Sequence, residues 1–225
     1  MTHQPHPVAT SPATTLNPLQ IRDAVRRILD DPELPAIVQA GHPVLRQLAA
    51  PVFGQIDDSD LSLLIERMRD VMRAAPGVGL AAPQLGVPLQ LAVLEDKFEV
   101  DPVSAAARDR QSLEFFAMIN PGYRGIGTGT ASFYEGCLSV SGYQAVVTRH
   151  RDVELRYFTP DGHAAEAWYS GWQARIVQHE TDHLQGTLYL DRAELRSLAG
   201  NAEYAEYWAH ATPDDARRGL GFLRD

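Results

Sequence analysis

The stretch GWQARIVQHETDHLQ, residues 171–185, carries both a helical pattern and a metal-binding pattern. Its apolar residues recur at near-helical spacing, so we predict a helix over the whole stretch. His179 and His183 are four residues apart, and a helix would therefore present both imidazoles to one metal ion. Glu180 would lie beside that ion as a general base. The alternative is a solvated helix face on which the two histidines coincide by chance.

A catalytic metal ion normally has three protein ligands and one open position, so this pattern needs a third ligand. Two residues are candidates: Cys137, within the segment EGCLS at 135–139, and Glu203 further along the chain. Glu203 would make the protein an endopeptidase of the His-Glu-x-x-His type. Each candidate also has a plainer interpretation, because a lone cysteine is often a small buried apolar residue and Glu203 could be a solvated charge.

Periodicity predicts further helices on both sides of this stretch. One runs from Leu19 to Asp30 and ends at an Asp-Pro pair, and a second runs from Leu61 to Ala74. Beyond Asp191 another helix is predicted to reach about His210. The segment 95–111 could be a loop or a short helix.

Short runs typical of β-strands occupy much of the remaining chain. They are residues 90–94, 115–119, 144–148, 153–158 and 163–169. Residues 159–162, TPDG, join the last two runs. They predict a hairpin turn, because proline presets φ and glycine tolerates a positive φ.

Composition excludes several classes of protein. The 225 residues carry a formal charge of −9 and a single cysteine. An acidic chain lacks the basic patch that neutralises phosphates, so we expect no DNA binding. One cysteine cannot form an internal disulfide, and no apolar run approaches the about 20 residues that span a membrane. Residues 1–21 also lack the features of a signal or transit peptide, so a cytoplasmic protein without membrane association is expected.

The chain is predicted to consist of one catalytic domain with an extension at each end. Residues 1–18 are rich in Pro, Thr, His, Ala and Ser and predict a disordered leader. Residues 19–209 form the domain, including an amino-terminal and a carboxy-terminal helix. Residues 210–225 are predicted to be a polar tail.

Three segments in this order resemble the signature motifs of the peptide deformylase family. They are GVGLAAPQ at 77–84, EGCLS at 135–139 and HETDH at 179–183. The resemblance covers roughly residues 41–192 and is closest to the organellar and related bacterial forms. It implies an α+β fold in which antiparallel strands pack around a central helix that carries the histidines. It also implies a metal-dependent hydrolase that removes the N-formyl group from the formylmethionine of new polypeptides.

The resemblance implies roles for individual residues. Metal ligands would be Cys137, His179 and His183. Glu180 would activate a water molecule. The oxyanion that forms at the formyl carbon would be stabilised by the Gln84 side-chain amide and the Leu138 backbone N–H, together with the metal ion. Backbone contacts to a peptide added as a strand would come from Val78, Gly79 and Gly136. A catalytically silent binding protein is a rival, which these intact motifs support poorly.

Residues beside the motifs also carry expectations. Glu135 and Arg175 are predicted to form a buried pair near the site. Asp182 either orients a ligating histidine or is a surface or capping carboxylate. Trp172 is interpreted as a core residue rather than a wall of the substrate site.

The resemblance implies one divalent metal ion, Fe²⁺ in the cell, with Zn²⁺, Ni²⁺ or Co²⁺ able to replace it in a purified sample. The implied partners are N-formylmethionyl nascent peptides at the ribosome. Acidic residues among the arginines of the carboxy-terminal region argue against docking on RNA through that tail. A monomer is expected.

Overall fold

The computed structural model describes residues 16–222, in which two antiparallel sheets surround one long helix. Most of the predicted leader, residues 1–15, lies outside the described residues. The helices are α1 (Pro18–Asp30), α2 (Asp58–Ala74), α3 (Pro102–Arg108), α4 (Gly171–Leu184), α5 (Asn201–Glu203) and α6 (Asp214–Leu220). The strands are β1 (Gly79–Ala81), β2 (Leu91–Asp96), β3 (Leu113–Gly125), β4 (Thr130–Cys137), β5 (Val140–His150), β6 (Asp152–Phe158), β7 (Ala164–Ser170) and β8 (Ala199–Gly200). The predicted α+β class is confirmed.

The larger sheet has the strand order β1-β2-β3-β6-β7, and the smaller sheet has the order β4-β5-β8. β4 and β5 form a long hairpin, in which Thr130 lies opposite His150 and Cys137 lies opposite Val140. The predicted TPDG turn joins β6 to β7, with Gly162 at a φ of 82°. β1 and β4 are edge strands of their sheets, so each keeps one side free for another strand.

Helix α4 is the central element that the metal-binding stretch predicts. Its apolar residues Ala174, Val177 and Leu184 are fully buried against side chains of the larger sheet. Its polar residues Glu180, Asp182 and His183 are buried as well. A helix that is buried nearly all round needs partners for its polar groups, and the smaller sheet provides two of them, Arg149 for Asp182 and Cys137 for His183.

Helix α1 packs on α2, and α2 packs on the larger sheet, so the two helices predicted for the amino-terminal region are confirmed. The side chain of Asn17 caps α1 by accepting a hydrogen bond from the Gln20 backbone N–H at 3.1 Å. The buried faces of the two helices share one core cluster with β1 and β2. Burial of each aliphatic side chain there contributes about 1.5–3 kcal/mol relative to exposure.

The structure corrects two sequence-based predictions and settles a third. The predicted helix from Asp191 to His210 is wrong, because Gly200 pairs with Tyr143 in β8 and the helix that follows is only three residues long before a π-helical turn. β3 does not end at Ile119 but continues through a bulge, in which Asn120 has a φ of 48°. Within 95–111 lies the short helix α3, capped by Asp101.

The predicted carboxy-terminal tail contains structure. Helix α6 lies within it, and Ala216 and Phe222 are buried in a cluster with Tyr134 and Val146. The exact domain boundaries stay a prediction. Among residues 16–222, no helix is long and apolar enough to cross a membrane.

Candidate metal centre and active-site cleft

The structure brings Cys137, His179 and His183 together, with their potential ligand atoms within 4.8 Å of one another. Sγ of Cys137 is 3.3 Å from Nε2 of His183, and the centroids of the two imidazoles are 5.0 Å apart. Cys137 ends β4, whereas the histidines share one face of α4. A thiolate and two imidazoles at this spacing are a donor set that fits one first-row divalent ion and leaves a fourth position open.

The two histidines differ in their surroundings. Nδ1 of His179 lies 2.9 Å from Oε2 of Glu135, which turns Nε2 towards the thiol, and the ring of Tyr189 stacks on the imidazole at 6.2 Å. Burial lowers the pKa of His179, but hydrogen bonds to Cys137 and Glu135 outweigh burial and raise that pKa well above its usual value. Burial, followed by the charge on His179, lowers the pKa of His183.

A buried network of charges supports the His179 side of the centre. Arg149 donates two hydrogen bonds to Glu135, at 2.6 and 2.9 Å, and one to Asp182 at 2.8 Å. Arg175 donates to Glu135 as well, so the predicted buried pair is confirmed. Burial would raise the pKa of Glu135, but Arg149 and His179 lower it far below its usual range. Glu135 is therefore an ionised acceptor that fixes the orientation of His179.

Asp182 takes part in this network without touching a ligand. Its carboxylate is buried and accepts hydrogen bonds from Arg149, Arg192 and Tyr123. It therefore acts on His179 through Arg149 and Glu135, and the surface interpretation of Asp182 is wrong.

Glu180 is buried between α4 and β1. A Cβ built on Gly79 would lie 2.3 Å from its Oε1, so only a glycine allows the strand to approach so closely. Burial raises the pKa of Glu180 to about 7, against the charges on His179 and Arg149. Among the described residues its Oε2 has no hydrogen-bond partner. A carboxyl with this pKa can both accept and return a proton near neutral pH.

Gln84 is held in one orientation on the turn that follows β1. Its Oε1 accepts a hydrogen bond from the Ala81 N–H at 2.8 Å, which directs Nε2 towards the centre. That Nε2 lies 3.2 Å from Oγ of Ser139 and 3.7 Å from Sγ of Cys137. Gln84 thus presents an N–H donor next to the candidate thiolate ligand.

A cleft of about 660 Å³ opens over the centre. Its lining includes all the residues predicted to contact the peptide backbone or the oxyanion: Val78, Gly79, Gln84, Gly136 and Leu138. The edge strand β1 begins in this cleft, and the edge strand β4 ends in it. An extended chain could therefore add to either edge with its first carbonyl at the centre.

Part of the cleft has polar groups without partners. We call Arg108, Tyr134 and Trp172 the unpaired wall, because all three line the cleft and each has a buried side-chain N or O atom with no hydrogen-bond partner among residues 16–222. The structure therefore corrects the interpretation of Trp172, which packs on the core and also forms a wall of the cleft.

Glu203 does not belong to the centre. It is exposed on α5, and the group of ligating side chains found in the described part of the chain consists of Cys137, His179 and His183. The alternative of a metallopeptidase with Glu203 as third ligand is therefore wrong. Arg149, Ser139 and Tyr189 were missed by the sequence analysis. The one signal that could have indicated such a residue is the arginine that follows the apolar residues of β5 by two positions.

Comparisons with known proteins agree with this geometry. The family model described as polypeptide deformylase matches residues 34–198. Peptide deformylase 1 of Streptomyces coelicolor is 54% identical over 186 residues, which cover 83% of this chain and 85% of the relative. Peptide deformylase 3 of Streptomyces avermitilis is 47% identical over 95% of both chains. The human mitochondrial peptide deformylase is 40% identical over 77% of this chain and 74% of its own, so the predicted likeness to organellar forms is confirmed.

Solved structures show the same fold. The Met-Ala-Ser-bound class I type b peptide deformylase of Acinetobacter baumannii has a TM-score of 0.63 at 30% identity, and the match covers 71% of this chain and 98% of that one. An actinonin-bound peptide deformylase of Synechococcus elongatus has a TM-score of 0.62 at 33% identity, covering 73% and 83% of the two chains.

Proposed function

The chain belongs to the peptide deformylase family, and we propose that Cys137, His179 and His183 hold the metal ion with which it works. The protein is a metal-dependent hydrolase that removes the formyl group from the amino terminus of new polypeptides. The cluster of one thiol and two imidazoles carries the assignment of ligands. When bound there, a divalent ion would acidify the attacking water and polarise the formyl carbonyl.

Glu180 is the general base in this proposal. It takes a proton from the water that attacks the formyl carbon, and a C–O bond forms. It then returns the proton to the amide nitrogen as the C–N bond breaks, which releases formate and a free amino terminus. Its buried carboxyl, with a pKa of about 7, suits both steps.

Gln84 and Leu138 stabilise the negative charge that develops on the formyl oxygen. The amide of Gln84 is preorganised, since the Ala81 N–H and Ser139 hold its two ends. The Leu138 backbone N–H is the second donor, from the segment between β4 and β5. Loss of one such donor costs about 2.7–4 kcal/mol of transition-state stabilisation in the best-studied case.

The peptide binds as an added strand between the edges of β1 and β4. Val78 and Gly79 contribute backbone groups from one edge, and Gly136 does so from the other. Main-chain hydrogen bonds of this kind give affinity without regard to sequence, as a processing enzyme for many nascent chains requires.

Fe²⁺ is the proposed metal in the cell, on the family resemblance and on a donor set that also accepts Zn²⁺, Ni²⁺ or Co²⁺. We further propose a monomer in the cytoplasm that meets formylmethionyl chains close to the ribosome. The net charge of −9 argues that this encounter does not depend on attraction to RNA.

Release of formate from formyl-Met-Ala-Ser by anaerobic, Fe²⁺-loaded protein tests the activity, with Glu180→Gln as the inactive control. Equal turnover by the control would remove Glu180 from its role. Absence of formate release by the wild type would overturn the proposed function.

Metal content tests the ligands separately. Cys137→Ser is expected to lose most of the bound metal after dialysis, whereas Glu203→Ala is expected to keep one ion per chain. The opposite result, measured by elemental analysis, would restore Glu203 as a ligand.

A further inference from the structure

Trp172 of the unpaired wall lies at the start of α4, and Arg108 lies over its ring. Trp172 and His179 are seven residues apart on this helix, which corresponds to about 10 Å along its axis. An extended peptide advances about 3.3 Å per residue. A chain with its formyl carbon at the centre, if it runs parallel to α4, would thus bring its second and third residues level with Trp172.

Three guanidinium groups surround the Trp172 ring. Those of Arg108, Arg110 and Arg175 lie 5.0, 5.5 and 5.7 Å from its centroid. Arg110 forms two hydrogen bonds with Asp96, and Arg175 is paired with Glu135. Arg108 differs, because no carboxylate of residues 16–222 lies within salt-bridge distance of it.

The side chain of Arg108 has contacts that fix its position, but not all of its N–H groups have an acceptor. Its Nη2 donates a long hydrogen bond of 3.4 Å to the His210 carbonyl, and its guanidinium also lies over the Phe133 ring at 5.9 Å. Its Nε and the Trp172 Nε1 are both buried without an acceptor among the described residues. The Arg108 guanidinium therefore brings to the cleft a positive charge that no carboxylate of residues 16–222 neutralises.

We infer that the unpaired wall favours formylated substrates that carry a carboxylate at the second or third residue, and that the Arg108 guanidinium binds this carboxylate. The inference rests on the proposed function, since it concerns the substrate of the same cleft. A charged donor that lines a cleft attracts an acidic group more strongly than a neutral group of the same shape. Partly exposed ion pairs of this kind correspond to a preference of up to about fivefold.

Matched peptides test the inference. Formyl-Met-Glu-Ser amide is compared with formyl-Met-Gln-Ser amide, and formyl-Met-Ala-Glu amide with formyl-Met-Ala-Gln amide. The carboxy-terminal amide removes the other carboxylate. We expect kcat/KM to favour glutamate by about two- to fivefold in at least one pair, and the ratio to fall as salt is added.

In Arg108→Gln, the ratio of kcat/KM for the glutamate peptide to that for the glutamine peptide should approach one. In Arg108→Lys, which keeps the charge, the glutamate peptide should still be favoured. The preference should also persist in Arg26→Gln, an exposed arginine of α1 outside the cleft. Because both peptides of a pair are measured with one enzyme preparation, the ratio cancels any general loss of activity.

Equal cleavage of both peptides in each pair by the wild type would overturn the inference, as would an undiminished preference in Arg108→Gln. Neither result would affect the proposed function, which fails only if the neutral peptides also release no formate.

Discussion

The two ends of the active-site cleft differ in how their charged side chains are paired. At the metal centre, the charged groups behind the ligands have partners within the protein: Glu135 accepts from Arg149, Arg175 and His179, and Asp182 accepts from Arg149. At the unpaired wall, Nε of Arg108, the Tyr134 hydroxyl and Nε1 of Trp172 have no hydrogen-bond partner among residues 16–222. The difference teaches that paired charges fix the side chains behind the metal centre, whereas the role we infer for the other end is to contact substrate side chains.

The largest expected effect is the loss of unfolding free energy in Arg149→Met. This substitution leaves Glu135 and Asp182 buried without their shared cation, because the Arg149 side chain is only 2% exposed. Breaking such a buried network typically costs about 3–5 kcal/mol of unfolding free energy. Arg124→Met, whose side chain is 67% exposed beside Glu154, should cost less than about 1 kcal/mol in the same denaturant titration. Equal losses in both variants would contradict the comparison.

The second-largest expected effect is the fall in kcat of Gln84→Leu. This substitution keeps the approximate shape of the side chain and removes the preorganised donor, so kcat should fall by about 10²–10³-fold with a smaller change in KM. Steady-state kinetics with formyl-Met-Ala-Ser measures both constants. A rise in KM with an unchanged kcat would mean that Gln84 binds substrate and does not stabilise the transition state.

Gly79→Ala should lower activity by about 10²-fold. Its new Cβ would overlap the Glu180 carboxyl and displace the base, and displacements near 1 Å have effects of this size. Gly122→Ala is the matched control, since no atom lies within 4 Å of a Cβ at that position. The control should keep wild-type kcat/KM, and a normal rate in Gly79→Ala would show that the β1 backbone does not position Glu180.

The smallest changes in unfolding free energy are expected at two tyrosines, one beside the metal centre and one in the unpaired wall. The Tyr189 hydroxyl donates to the Tyr143 carbonyl at 3.0 Å, and Tyr189→Phe should cost about 1 kcal/mol of stability. The Tyr134 hydroxyl has no partner among the described residues, so Tyr134→Phe should change stability by less than about 0.5 kcal/mol. Chemical denaturation of the two metal-loaded variants decides the matter, and a larger loss in Tyr134→Phe would refute the distinction between the ends.

The sequence predicted those parts of the fold in which a local pattern matches the final burial. α1 and α2 have apolar stripes that become buried faces, so their periodicity was sufficient. The apolar spacing of α4 predicted the helix but not the burial of its polar residues. β1 was missed, because its three residues are buried on every side and lie in a glycine-rich segment that is typical of a turn. The carboxy-terminal helix was predicted wrongly, since pairing with β5 draws residues 199 and 200 into a strand against their helical surroundings.

The functional site likewise contains residues that a local pattern predicts and residues that it does not predict. His179, Glu180 and His183 follow from helical spacing, whereas the choice of Cys137 over Glu203 needed the family resemblance, because the cysteine reaches α4 only through the β4–β5 hairpin. Arg149 meets Glu135 across that hairpin, 14 residues away, and meets Asp182 33 residues away. Contacts of this separation leave no local pattern, and neither does the meeting of Arg108 with Trp172.

Because the chain has a single cysteine, the reactivity of its thiol can report how many molecules hold a metal ion. Because every thiol in a sample belongs to Cys137, one round of alkylation followed by mass measurement reports the fraction of molecules whose sulfur is free to react. Coordination to a metal ion should slow that labelling. The mass spectrum of an intact sample would then show two peaks, one for chains that were loaded and one for chains that were not.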